Sequence, residues 1–271
     1  MTSRSGGSLV VAGVGMTFLS HLTAEVRGEI EGADDVFLVV ANPAMADWVR
    51  RANPRVTPLD MYREQEPGLD SAAEWQRQID VAIERTLAPA RTGRRVCVVL
   101  DGHPAVSVDP VHRLVGQAER EGIPTRFLPG ISAEDCLFAD LAIDPARDGC
   151  QSFEATDFLL RRRPFSESSG LLLRQIGLIG EFMLLGRRND HGLHVLTDTL
   201  LERYPATHPV VLYEAALLPV GGARLERIAL ADLPGAGVTD FSTLYVPPCA
   251  RRSVDPAMAK RLGIPPERIR P

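Results

Sequence analysis

Only four cysteines stand in the 271 residues, Cys97, Cys136, Cys150 and Cys249, and no two share the Cys-x-x-Cys spacing of a metal or redox site. That scatter points away from metal. Cys97, inside an apolar run, fits a small buried thiol in a reducing cytosol. An excess of positive charge is also absent. The formal net charge is −5, whereas phosphate recognition needs a basic face, so nucleic acid is not an expected partner. The run Arg161-Arg162-Arg163 is too short to reverse this and reads as a solvated loop or a peptide-contacting edge. No apolar run approaches the ~20 residues that cross a bilayer. The polar start, Met1 to Ser8, is followed by nothing that resembles the apolar core of a signal peptide. The expectation is a soluble cytoplasmic chain with no membrane partner. Repeats and low-complexity segments are missing too.

What is present is an ordinary globular composition, 45% hydrophobic and 24% charged, in a chain long enough for one large or two modest domains. Ser8 to Gly15 reads as a strand ending in a Gly-x-Gly turn. Leu22 to Gly32 reads as a helix capped by Thr23, Val36 to Val40 as a strand, and Ala44 to Ala52 as a helix halted before Asn53-Pro54. Ala72 to Ala88 is a longer amphipathic helix that feeds the strand Val96 to Leu100. Apolar strands alternating with helices imply a largely parallel sheet covered on both faces. Past Pro145 the pattern changes. Strands are expected at Gly170 to Ile176, Pro209 to Ala215, Leu225 to Ala229 and Ser242 to Val246, with a helix at Val195 to Arg203. Hairpin-like spacing around Gly221-Gly222 and between the last strands suggests a mixed sheet. The division expected is residues 1–135 and 136–250, with 251–271 a peripheral tail.

The most informative stretch runs from Val96 to Asp135. A β-branched strand meets the loop Asp101-Gly102-His103-Pro104. A helix follows with Val111, Leu114, Val115 and Ala118 on one face, and a second strand breaks at Pro129-Gly130 before Ser132 opens another helix. Two strand-to-helix turns thus fall close together, and their free backbone N–H groups suit an anionic or carbonyl-bearing ligand. Gly13-x-Gly15 invites a dinucleotide reading, but Phe18 occupies the place of the third glycine, so a nicotinamide site is not expected.

Seven segments in order carry a resemblance: Gly102-His103-Pro104, Pro129 to Cys136, Ala139 to Pro145, Gln151 to Ala155, Arg174 to Gly177, Val210 to Ala215 and Phe241 to Pro248. Over roughly residues 8 to 250 the chain resembles the tetrapyrrole (corrin/porphyrin) methylase superfamily. Within it, the chain resembles the peptide-backbone N-methyltransferases that make borosin peptides. The resemblance implies a two-domain α/β fold with S-adenosylmethionine (SAM) in the cleft between the domains, and a homodimer. It places Leu100, His103, Val106, Ser132, Ala133, Gln175, Tyr213, Ala215, Ser242 and Thr243 at the cofactor. His103 reads as part of that pocket rather than as a general base, and capping of the helix is the expected role of Glu134 and Asp135. Two departures stand out. Asp101 occupies the position before the glycine where the family has an aromatic residue, and Ala105-Val106-Ser107 replaces Gly-Val-Phe.

Methylating an amide is demanding because the nitrogen lone pair is delocalised into the carbonyl. It calls for a base at the N–H, positive charge on the carbonyl oxygen and a methyl donor held in line. By resemblance the catalytic tyrosine is Tyr62. The family arginine falls at Ser71 or Ala72, and the second tyrosine falls at Trp75, which can donate but not accept a proton. Arg63 or Arg77 then supplies the charge from a shifted position, and the catalytic candidates are Tyr62 and Arg63. Alternatively, the acceptor is a better nucleophile than an amide. Fungal-type members carry their peptide beyond a helical extension, whereas 23 residues follow Pro248 here. The expectation is therefore a separate precursor peptide. A small-molecule natural-product acceptor and a SAM-binding partner without chemistry are the alternatives.

Overall fold

The computed structural model describes residues 6–59, 72–180, 190–249 and 253–268. The first part of the chain alternates strand and helix: β1 (Ser8–Gly13), α1 (Ala24–Gly32), β2 (Asp35–Val39), α2 (Pro43–Ala52), β3 (Val56–Pro58), α3 (Ala72–Arg91), β4 (Arg95–Leu100), α4 (Asp109–Arg120) and β5 (Thr125–Leu128). Its five strands form one sheet in the order β3-β2-β4-β1-β5, every pairing parallel. Because side chains alternate across a strand, each apolar run serves two cores. Leu9, Val11, Val96, Val98 and Leu100 face Ile79 and Leu87 of α3 and Val111 and Leu114 of α4. Val10, Ala12, Val36, Leu38, Cys97 and Val99 face Val26 and Ile30 of α1 and Met45 and Val49 of α2. That two-sided burial is why these strands read as unbroken hydrophobic runs.

Helix ends are set by local chemistry. Thr23 Oγ1 accepts from Val26 N at 3.1 Å and starts α1. Asn42 Oδ1 accepts from Ala44 N at 3.0 Å and starts α2, with Pro43 in its first turn. The helix α3 continues past Pro89 to Arg91, three residues beyond the expected stop at Ala88.

After β5 come α5 (Ala133–Leu141), α6 (Pro145–Asp148), β6 (Cys150–Glu154), α7 (Ala155–Leu160), β7 (Gly170–Arg174), α8 (Asp190–Leu201), β8 (Pro209–Glu214), β9 (Arg224–Ala229), β10 (Thr243–Val246) and α9 (Pro256–Arg261). The second sheet runs β6-β7-β10-β8-β9 and is mixed: β6 and β7 are parallel and the other pairs antiparallel. The hairpin expected around Gly221-Gly222 is the β8–β9 pair. The hairpin expected between the last strands is not formed, because β10 inserts between β7 and β8. One face of this sheet packs on Phe158 of α7 and Leu193, Leu196 and Leu200 of α8. The other face places Leu172, Val211, Tyr213 and Tyr245 against Leu137 of α5. Among the described residues, no helix is long and apolar enough to cross a membrane.

Candidate functional site

The carboxyl ends of β1, β4 and β5 converge on three glycines. A Cβ on Gly13 would lie 2.3 Å from Gly102 O and 2.9 Å from Gly130 N, and one on Gly130 would lie 2.1 Å from Gly102 O. No side chain fits at this contact. Backbone therefore meets backbone, an approach that only glycine permits, and the three strand ends are held together at one point. The loops are stitched together as well: Gly102 N donates to Gly15 O at 2.9 Å and Gly15 N to Gly102 O at 3.2 Å. Gly102 takes a φ of 62°, a left-handed conformation that glycine adopts without strain.

The Gly-His-Pro loop then turns on itself. His103 Nδ1 accepts from Ala105 N at 3.1 Å, so this nitrogen shapes the loop and is not free as a base. Val106 N donates to His103 O at 3.1 Å. Next in the chain, Ser107 has a φ of 56° and a buried hydroxyl without a partner among the described residues. At the following strand end, Ser132 and Asp135 form a reciprocal capping box on α5: Ser132 Oγ accepts from Asp135 N at 3.1 Å and Asp135 Oδ2 from Ser132 N at 2.8 Å. Asp135 thus has the capping role expected of it. Glu134 does not. Its carboxylate leaves α5 for the second sheet, accepting from Ser152 Oγ at 2.7 Å and from Arg174 at 3.2 Å.

The second sheet contributes the edge where β7 and β8 end and β10 begins. Gln175 is not in the strand, as the sequence pattern suggested, but turns left-handed just past it with a φ of 58°. Ile176 N donates to Ser242 O at 3.3 Å, which sets the Gln175 turn beside the start of β10. Ser242 Oγ donates to Glu214 Oε1 at 2.6 Å, and Thr243 pairs with Tyr213 across the ladder. His103, Val106, Ala133, Gln175 and Ala215 offer surface, whereas Tyr213 and Ser242 are wholly buried and brace the walls behind them. Leu100, Ser132 and Thr243 are buried but for an edge.

Sheet meets sheet through the segment after Ala215. Thr17 Oγ1 donates to Ala216 O at 2.9 Å, Phe18 N to Leu217 O at 3.0 Å, and Asn42 Nδ2 to Leu217 O at 2.8 Å. Near this seam, burial lowers the His21 pKa and Asp140 partly offsets it, while His21 Nδ1 accepts from Thr17 N at 3.2 Å. The cleft so defined fits a nucleoside cofactor with an amino-acid moiety. It has the close-packed glycine strand ends on one side and a polar turn on the other. Two buried polar atoms, Ser107 Oγ and Arg174 Nε, are also left unsatisfied among the described residues. No group of three or more metal-ligating side chains occurs among the described residues.

Tyr62, Arg63 and Ser71 lie outside the described residues. Trp75, near the start of α3, packs against the first core. The Arg161-Arg162-Arg163 run is partly neutralised, since Arg161 and Arg163 both pair with Asp157. A depression of about 610 Å³ between α3 and α4 is lined by Asp80, Glu84, His112 and Arg113. Its charges are already engaged, Arg113 with Asp80 and Glu84 with Arg91, so it offers a ligand little. Sequence reasoning missed the bracing residues Asn42, Asp140 and Glu214. The available signals were a carboxylate closing an apolar strand for Glu214 and an Asn-Pro pair opening a helix for Asn42.

Fold and cleft together define a SAM-type α/β methylase architecture. A family model for tetrapyrrole (corrin/porphyrin) methylases matches residues 8–233, and the chain belongs to that family. Among curated proteins it is 36% identical over 271 residues to a methyltransferase/ribosomally synthesized omphalotin A precursor of Omphalotus olearius, covering 98% of this chain and 63% of that one. It is 38% identical over 264 residues to the corresponding gymnopeptides precursor of Gymnopus fusipes, covering 95% and 60%. It is 38% identical over 265 residues to a type III borosin precursor of Anomoporia bombycina, covering 95% and 30%. The chain thus spans about three fifths of the length of the first of these relatives. Among solved structures, uroporphyrin-III-C-methyltransferase from Thermus thermophilus superposes with a TM-score of 0.61 at 21% identity, covering 90% of this chain and 93% of that one. A diphthine synthase superposes with a TM-score of 0.58 at 16% identity, covering 90% and 92%. Both share the fold.

Proposed function

We propose that this chain is a SAM-dependent methyltransferase that methylates backbone amides of a ribosomal precursor peptide supplied as a separate chain. The observation that carries the reading is the backbone contact of Gly13, Gly102 and Gly130, opposite the turn at Gln175 and the end of β8. Relatives whose names join a methyltransferase to a peptide precursor give the acceptor class. The division at residues 135 and 136, the homodimer and the cytoplasmic location belong to the same proposal. SAM supplies an electrophilic methyl group when bound. Leu100, His103, Val106, Ser132, Ala133, Gln175 and Ala215 are assigned to hold it, with Tyr213, Ser242 and Thr243 behind them.

The chain's own chemistry then rests on Tyr62 and Arg63. An amide nitrogen becomes nucleophilic only as its proton leaves and negative charge gathers on the carbonyl oxygen. Tyr62, ionised to the phenolate, takes the amide proton and becomes the phenol, and Arg63 balances the negative charge on the carbonyl oxygen. Trp75 forms apolar wall, since an indole accepts no proton. Tyr62→Phe tests the assignment: turnover should fall at least ~100-fold with SAM affinity nearly unchanged, and unaltered turnover would remove Tyr62 from the mechanism.

A further inference from the structure

The residue that ends the β4 run is a carboxylate, Asp101, at the mouth of the Gly-His-Pro loop. Its Oδ2 accepts from Ala41 N at 2.6 Å, and the Asn42 amide donates to the same carboxylate. These two amides lead into α2. Asn42 is itself 3% exposed; its Oδ1 caps the helix and its Nδ2 donates to Leu217 O at 2.8 Å. Leu217 O also receives Phe18 N, and the adjoining Ala216 O receives Thr17 Oγ1. A continuous run of hydrogen bonds therefore leads from the last residue of one cleft wall to the segment directly after Ala215 on the other.

We propose that Asp101 is a positioning residue: its ionised carboxylate fixes the Ala41–Asn42 turn and, through Asn42, holds the Ala216–Leu217 segment that sets the width of the cofactor cleft. This rests on the cofactor reading of the cleft given above. A carboxylate is acceptor-only and serves both amides, whereas a protonated carboxyl turns one of its oxygens into a donor and leaves an amide unmatched. Burial pushes Asp101 up to about 6 against the pull of the two amides, so the bonds of the clasp are lost in mildly acidic solution. A cationic sulfonium ligand favours the ionised form as well. The Ala41–Asn42 turn and the Ala215–Leu218 segment bring no titratable side chain. The loop after β1 brings His21, the Gly-His-Pro loop brings His103, and Asp109 opens α4.

The test is calorimetric titration of the whole chain with SAM from pH 7 to pH 5. Wild type should bind about tenfold more weakly at pH 5, one unit below the carboxyl's midpoint. Asp101→Asn presents one acceptor and one donor, as the protonated carboxyl does, so its affinity should be flat across the range and about tenfold below wild type at pH 7. It retains His21, His103 and Asp109, so a slope carried by those groups would persist. Asn42→Ser keeps the helix cap but cannot reach Leu217 O, and should bind at pH 7 as weakly as wild type does at pH 5. A flat wild-type profile, or an Asp101→Asn profile with the wild-type slope, overturns the role of Asp101 and leaves the cofactor reading standing. Absence of SAM binding at every pH overturns both. Far-ultraviolet dichroism of each variant reports its folding.

Discussion

The Tyr213 hydroxyl donates to Asp140 Oδ2 at 2.8 Å, joining the end of β8 to α5. Tyr213 is fully buried while Asp140 is exposed, so the pair brings a phenol out of the core to a carboxylate at the surface. Burial and the Asp140 bond both raise the Tyr213 pKa, and this tyrosine stays protonated at any working pH. Tyr213→Phe should cost about 1 kcal/mol, because Asp140 can rehydrate once its donor is gone. Urea denaturation measures it, and an unchanged midpoint would show that the bond contributes nothing.

The three-glycine contact makes a sharper demand. Gly130→Ala drives a methyl group against Gly102 O at 2.1 Å, backbone against backbone, with no flexible side chain to yield. A loss of about 3 kcal/mol is expected, together with loss of SAM binding. Gly28, within α1, is the control because nothing lies within 4 Å of an added Cβ. Gly28→Ala should stabilise by up to about 1 kcal/mol. Thermal melts of the two variants should move in opposite directions.

Thiol chemistry should follow burial. Cys97 lies in β4 between two helical layers, and burial pushes it up to about 12, while Cys136 and Cys150 rise to about 11 for the same reason. Cys249 is exposed. A disulfide reagent at pH 8 should therefore modify Cys249 rapidly in the native protein and Cys97 only on unfolding. Peptide mapping that finds Cys97 modified first would contradict the packing of the first sheet.

Asp101 also affects stability in a direction that can be worked out. Its carboxyl is raised in the folded chain, so between pH 4 and pH 6 the native state holds a proton that the unfolded state has released. Stability from this group is full at low pH and declines as pH rises through about 6. Relative to wild type, Asp101→Asn should gain stability as pH increases from 4 to 7. Denaturation at these two pH values decides it, and a difference independent of pH would mean that Asp101 is not raised.

Much of the first sheet was legible because parallel strands buried on both faces leave apolar runs with nothing polar inside them. Val96 to Leu100 is the clearest case. The strand β3 was missed because it has three residues and ends in Pro58. The strand β6, Cys-Gln-Ser-Phe-Glu, was missed because it lies at the sheet edge, half-buried at every position. The place of β10 between β7 and β8 could not be read, since pairing between strands distant in sequence leaves no local mark. In the cleft, glycines and the Ser132 cap announced themselves by residue type. Glu134 misled: a carboxylate in the first turn of a helix suits capping, but Asp135 had taken that role and Glu134 was drawn to Ser152 and Arg174. Asp101 was visible as a departure from the family pattern, but its amide partners come from residues sixty positions away.

The most direct test of peptide methylation is intact mass spectrometry of a candidate precursor peptide incubated with this chain and SAM, followed by fragmentation. Successive additions of about 14 Da, the mass of one methylene, localised to backbone nitrogens, are the predicted result. An unmodified peptide, with SAM binding shown separately on the same preparation, would contradict it and turn the search to small-molecule acceptors.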